Sequence, residues 1–242
     1  MLFYFRLMKK VAFLYSFVML LLLVGCKEQV ADPVVERPTA PEWSLEELTV
    51  YEVFPRQFSG SGHLNAVRTR IPELKALGVN CVWLMPVHPI GEVNRNGTHG
   101  SPYAVADFRA IHPDLGDLNV MRSLVDELHE EGMLCIVDWV ANHTAWDHPW
   151  VSEHPDWYTQ DGLGNIVIPP GTNWSDVADL NYDSPTMRTA MLDAMRFWVE
   201  EVRVDGFRCD YAVGVPEDFW SVAIAELSSL RLEEPLLWLA EA

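Results

Sequence analysis

From Thr49 onward the apolar positions follow two alternating rhythms. Short β-branched and aromatic runs, "TVYEVFPRQF" (49–58), "VNCVWLMPV" (79–87), "MLCIVDWVANH" (133–143), "VDGFRCDYA" (204–212) and "PLLWLAEA" (235–242), predict strands. Between them lie longer stretches of helical period. "HLNAVRTRIPELKALG" predicts one helix, and Leu118, Met121, Val125 and Leu128 predict a second that stops at Gly132. Ser184 and Pro185 form an N-cap and first-turn pair ahead of Met187, Met191, Met195 and Val199, which repeat every four residues. "EDFWSVAIAELSSL" predicts the last helix. Repeated βα units with apolar strands imply a parallel sheet, doubly wound or closed into a barrel.

One connection breaks the rhythm. Residues 144–179 separate the third strand from its helix, where about 2 to 6 residues are usual. The stretch carries Trp146, His148, Trp150, His154, Trp157, Tyr158 and Trp174. These rings suit the core of a small inserted domain (144–179), with one or two facing a ligand.

The N-terminus is a separate object. After Lys9 and Lys10, the apolar run from Val11 to Val24 is short for a membrane span and suits an export signal, residues 1–25. Its end, "LVGC", resembles a bacterial lipobox, with Cys26 as the lipidated first residue of the mature chain. The alternative is an ordinary cleaved signal or an uncleaved anchor. Residues 26–45 are rich in Pro and charge and predict a tether, which places the catalytic body at 46–242 and the protein at the bacterial envelope.

Composition narrows the field. The formal net charge of −18 excludes a nucleic-acid phosphate backbone as a natural partner. Cys81, Cys135 and Cys209 each sit inside a strand-like run, so they are expected as buried free thiols.

Candidate chemistry gathers at the strand ends. Arg208 and Asp210 are two apart on one strand and share a side, where a guanidinium favours an ionised carboxylate. Asp138, Asn142 and His143 close the third strand, Asp210 the fourth and Glu241 the fifth. In a (β/α)8 barrel those ends form the active-site face, so three acids on successive ends should converge.

These residues resemble the alpha-amylase family, glycoside hydrolase family 13, from about Thr49 to the last residue. "DWVANH" matches its strand-three motif, "GFRCDYA" its strand-four motif and "LAEA" its strand-five motif. "GVNCVWLMP", "GSPYAVADF" and "DVADLN" match in order. The resemblance implies a TIM-type (β/α)8 barrel, of which about five βα units are present. It also implies a retaining glycosidase acting on α-1,4-linked glucans. Asp210 would be the nucleophile, Glu241 the general acid/base and Arg208 the residue that orients the nucleophile. Asp138 would brace Arg208, while His143 and Tyr103 would contact the sugar and Asp107 and Asn142 would support them. In relatives an asparagine at the position of Asn142 binds calcium, so calcium is a possible cofactor.

Glu241 sits among Trp238, Leu239 and Ala240 in sequence, an expected apolar setting that would keep it protonated while Arg208 keeps Asp210 charged. The family's third carboxylate, an aspartate after a histidine near strand seven, has no counterpart. The chain is therefore expected to be the front of a longer enzyme, with little or no activity alone and an exposed strand edge. Three alternatives stand beside hydrolysis: a transglycosylase or isomerase of the same family, a non-catalytic surface glucan-binding protein, and a metal-dependent hydrolase. The last is opposed by the absence of a close His pair.

Overall fold

The computed structural model describes residues 37–241, so the export segment and Cys26 lie outside the described residues. Its strands in chain order are β1 (Val50–Val53), β2 (Cys81–Leu84), β3 (Leu134–Trp139), β4 (His143–Ala145), β5 (Val177–Asp179), β6 (Gly206–Cys209) and β7 (Leu237–Ala240). Five of them form one parallel sheet in the order β1-β2-β3-β6-β7. The helices are α1 (Pro55–Phe58), α2 (Leu64–Arg68), α3 (Ile71–Ala76), α4 (Leu118–Glu130), α5 (Pro149–Glu153), α6 (Pro185–Phe197) and α7 (Glu217–Ser228). Helical connections join each strand of the sheet to the next, which is the repeating unit of a (β/α)8 barrel.

Period-two alternation assigns the two faces of the sheet. Cys135, Val137 and Trp139 of β3 and Phe207 and Cys209 of β6 enter the large core under the helices. Met121, Leu124, Val125 and Leu128 of α4, and Met187, Met191 and Met195 of α6, complete that core and are fully buried. Each such side chain contributes about 1.5–3 kcal/mol relative to exposure. The intervening residues Cys81, Leu134, Ile136 and Leu237 face the other side. There Ala40, Trp43 and Leu48 pack on them as a floor. Trp43 Nε1 donates to the Pro235 carbonyl at 3.1 Å. The described part of the 26–45 stretch is thus irregular but docked. Cys81, Cys135 and Cys209 are buried free thiols.

The caps read from sequence form: Ser184 accepts from Met187 N–H at the start of α6, and Gly132 takes φ +74° after α4. Asp117, not read from the sequence, caps α4 by accepting from Asn119 and Val120 N–H. Two element predictions need correction. The single helix expected over residues 63–78 is broken into α2 and α3 at Thr69 and Arg70, because Pro72 lies in the first turn of α3 and has no N–H to extend a helix through that point. The first strand stops at Val53, since Pro55 opens α1.

Candidate active site

The site is built on register. Asp138 of β3 pairs with Arg208 of β6, and Arg208 pairs with Leu239 of β7, so the ends of three adjacent strands meet at one level. Arg208 Nη1 lies 2.9 and 3.1 Å from the two carboxylate oxygens of Asp138 and 3.2 Å from Asp210 Oδ1. Its Nη2 lies 2.5 Å from Glu241 Oε1. One guanidinium therefore holds three carboxylates. Asp138 is fully buried and also accepts from Trp83 Nε1 at 3.2 Å and Tyr103 Oη at 3.3 Å. The Arg208 guanidinium stands 4.9 Å over the Trp83 ring, a cation–π contact that closes its remaining face.

Above these groups opens a cleft of about 570 Å³, lined by Tyr103, His143, Trp174, Asp176, Asp210, Tyr211 and Glu241 among others. Every site residue read from sequence within the described residues reaches this constellation except Asp107 and Asn142, the latter touching it through His143. Asp107 is exposed, caps the Arg109 N–H at 2.8 Å and lines a different cleft beside Trp150. Asn142 and His143 are not part of β3. The chain leaves that strand after Trp139, and His143 opens β4, which pairs antiparallel with β5. Asn142 Nδ2 contacts His143 Nδ1 at 3.2 Å, and burial pushes the His143 ring down to about 4, so it stands neutral in the cleft wall.

Within the inserted segment, Trp157 and Tyr158 are buried, but they join the large core under the helices rather than forming the separate core expected, whereas Trp174 faces the cleft, edge-on to His143 at 5.5 Å between centroids. Trp83 and Tyr211 escaped the sequence reading. For Trp83 a signal existed: an indole on the inner face of a strand needs an acceptor for its N–H. No three His, Cys, Asp or Glu side chains cluster as a metal group among the described residues.

The proton order differs from expectation. Burial, reinforced by the Asp138 charge, pushes Asp210 up to about 7 against the pull of Arg208. Asp138 is raised by burial to about 6, with Arg208 as the chief opposing influence. Glu241 is held below the usual glutamate value, first by the Tyr211 N–H and also by Arg208. Two causes explain the reversal. Arg208 is shared by three carboxylates rather than reserved for Asp210. The Glu241 side chain is also 46% exposed, because Trp238 turns to the opposite face against Phe207 and β7 has one neighbour among the described residues.

A parallel αβ sheet with carboxylates and one arginine gathered at its strand ends has the layout of the active-site face of a (β/α)8-type barrel. Residues 52–162 and 172–226 match the family described as alpha amylase, catalytic domain, and the chain belongs to the alpha-amylase family. It is 35% identical over 216 residues to the alpha-1,4-glucan:maltose-1-phosphate maltosyltransferase of Rhodospirillum rubrum, covering 79% of this chain and 31% of that protein. Alpha-amylase MalA of Haloarcula japonica is 33% identical over 192 residues, 75% of this chain and 27% of the relative. Among solved structures, an alpha-amylase from Lactobacillus plantarum superposes with a TM-score of 0.77 at 41% identity, covering 81% of this chain and 45% of its own. A noncanonic maltogenic alpha-amylase, AmyB from Thermotoga neapolitana, gives 0.76 at 39% identity, covering 82% and 46%. The chain thus spans about a third of these curated relatives and less than half of these solved chains.

Proposed function

We propose that this chain carries the nucleophile and the acid of a retaining enzyme that hydrolyses α-1,4-linked glucans such as starch, glycogen and maltooligosaccharides. The observation that supports it is the single guanidinium of Arg208 touching Asp138, Asp210 and Glu241 at the floor of an aromatic-walled cleft. In this reading Asp210 attacks the anomeric carbon while Glu241 protonates the departing glycosidic oxygen. Water, deprotonated by Glu241, then releases the sugar from Asp210. Arg208 orients Asp210, Asp138 braces Arg208, and Tyr103 and His143 contact the sugar ring beside the scissile bond. Below about pH 7 the resting site keeps its proton on Asp210. The attack requires that proton on Glu241, so substrate that covers the exposed Glu241 and displaces its water is what sets the productive order.

Transfer to a second sugar is the other reading, favoured by the relatives named maltosyltransferase. Incubation with maltooligosaccharides separates the two: shorter products with new reducing ends mark hydrolysis, and lengthened products mark transfer. Asp210→Asn should abolish either activity while sugar binding persists. Turnover that survives in Asp210→Asn overturns the assignment. Binding without turnover is what the front of a longer enzyme would give, and it marks a glucan-binding protein only if a full-length form also binds without turnover. We also infer export and lipid anchoring at Cys26. Fatty-acid labelling that is lost in Cys26→Ser checks this, and labelling that persists refutes it.

A further inference from the structure

The turn after β6 grips Glu241 through two main-chain donors. Tyr211 N–H donates to Glu241 Oε2 at 2.9 Å, and Ala212 N–H donates to the Glu241 carbonyl at 3.0 Å. The first donor is aimed by an unusual backbone. Tyr211 has φ 42° and ψ 51°, in the left-handed region. That conformation is disfavoured for a residue bearing a Cβ and persists only where the surroundings enforce it.

Two neighbours crowd the ring. Trp174, from the inserted segment, meets the Tyr211 ring in a T-shaped contact with centroids 5.2 Å apart. Gly214 stands so close that an added Cβ would lie 2.4 Å from the Tyr211 Cε1. The turn itself is pinned by Trp220 Nε1, which donates to the Ala212 carbonyl at 3.1 Å, and by Gly214 N–H, which donates to the Tyr211 carbonyl at 2.9 Å.

We propose that Tyr211 is a positioning residue for Glu241: its ring, packed against Trp174 and Gly214, holds the left-handed backbone that points the Tyr211 N–H at the Glu241 carboxylate. The inserted segment is thereby coupled to the acid, and a sugar that presses on Trp174 acts on the donor that fixes Glu241. The catalytic meaning rests on the reading of Glu241 as the acid. The positioning does not.

The test is a carboxyl ¹³C NMR titration of Glu241 in the full 242-residue chain, with the resonance assigned by Glu241→Gln. It compares wild type with Tyr211→Phe, Tyr211→Ala and Trp174→Ala. Phenylalanine keeps the ring, so the Glu241 midpoint should stay where it is. Both alanine variants should move it to higher pH, since a donor to the ionised form is lost. Turnover adds a second reading: kcat of Tyr211→Ala should fall about tenfold or more with KM nearly unchanged, and Tyr211→Phe should restore it. An unmoved midpoint in a folded Tyr211→Ala overturns the proposal. If that variant does not fold, an unmoved midpoint in Trp174→Ala overturns it instead. Absence of turnover in wild type removes the kinetic reading alone, because the titration still decides the positioning.

Discussion

Arg208 approaches Glu241 more closely than it approaches Asp210: Nη2 lies 2.5 Å from Oε1 of the glutamate, against 3.2 Å from Nη1 to Oδ1 of the aspartate. The cation therefore stabilises the ionised form of the more exposed acid and leaves the buried one under-compensated. The proton at rest belongs to Asp210.

That placement has a stability signature. Asp210 is protonated in the fold up to about pH 7 but ionised in the unfolded chain above its ordinary value of 3.8. Its contribution is full below pH 3.8 and is lost as pH rises to about 7. Asp210→Asn removes this dependence. In urea denaturation the asparagine variant should gain on wild type between pH 4 and 7 and keep that advantage at pH 8. A difference that is flat with pH contradicts the raised value.

Removing the shared cation should cost more than removing any one of its partners. Arg208→Met leaves Asp138, with no side-chain exposure, beside two other carboxylates. Breaking a buried pair from one side costs about 3–5 kcal/mol. Arg208→Lys retains charge but loses the fork that reaches Asp138 and Glu241 together, so it should fall between the two. Denaturant midpoints at pH 7 should rank wild type above Lys above Met, and equal Lys and Met values would remove the charge argument.

The acid side of the stability profile is set by buried neutral histidines. His88 stands between Phe108, Trp139 and Trp198, with Nδ1 facing the Ala110 carbonyl at 3.3 Å, and burial lowers it to about 4. His143 and His148 are lowered by burial to about 4 as well. A lowered base contributes stability above its unfolded value of 6.5 and loses it as pH falls to about 4. His88→Phe should cost about 1 kcal/mol at pH 7 for the lost hydrogen bond. Its fall in stability between pH 6.5 and 4 should be shallower than that of wild type. Parallel curves would show that His88 is not buried as the free base.

Gly206 tolerates no side chain. It pairs with Leu237 at φ +152°, and an added Cβ would lie 1.8 Å from the Leu237 carbonyl oxygen. Gly206→Ala should separate β6 from β7 and cost more than about 4 kcal/mol. Loss of the cooperative thermal transition in circular dichroism is expected, and a wild-type melt would refute the close approach.

The amino-acid order carries the fold wherever local chemistry decides it. Ser184–Pro185 start their helix because capping needs only the first turn. The inward acids were legible because strand alternation and strand ends locate Asp138, Asp210 and Arg208 without tertiary knowledge. The proton order was not legible. It depends on which face Trp238 takes and on how many carboxylates share Arg208, and both are set by neighbouring strands. Tyr211 was missed for a similar reason, since a left-handed tyrosine has no sequence signature and its donor is a backbone group.

The hydrogen bond from Trp43 to Pro235 joins residues 192 apart in the chain. Its partner lies just before β7, so the floor cannot close until the last strand of the sheet has found β6. Closing the floor therefore depends on a long-range contact rather than on local helix formation, and it ties the chain ahead of β1 to the arrival of β7.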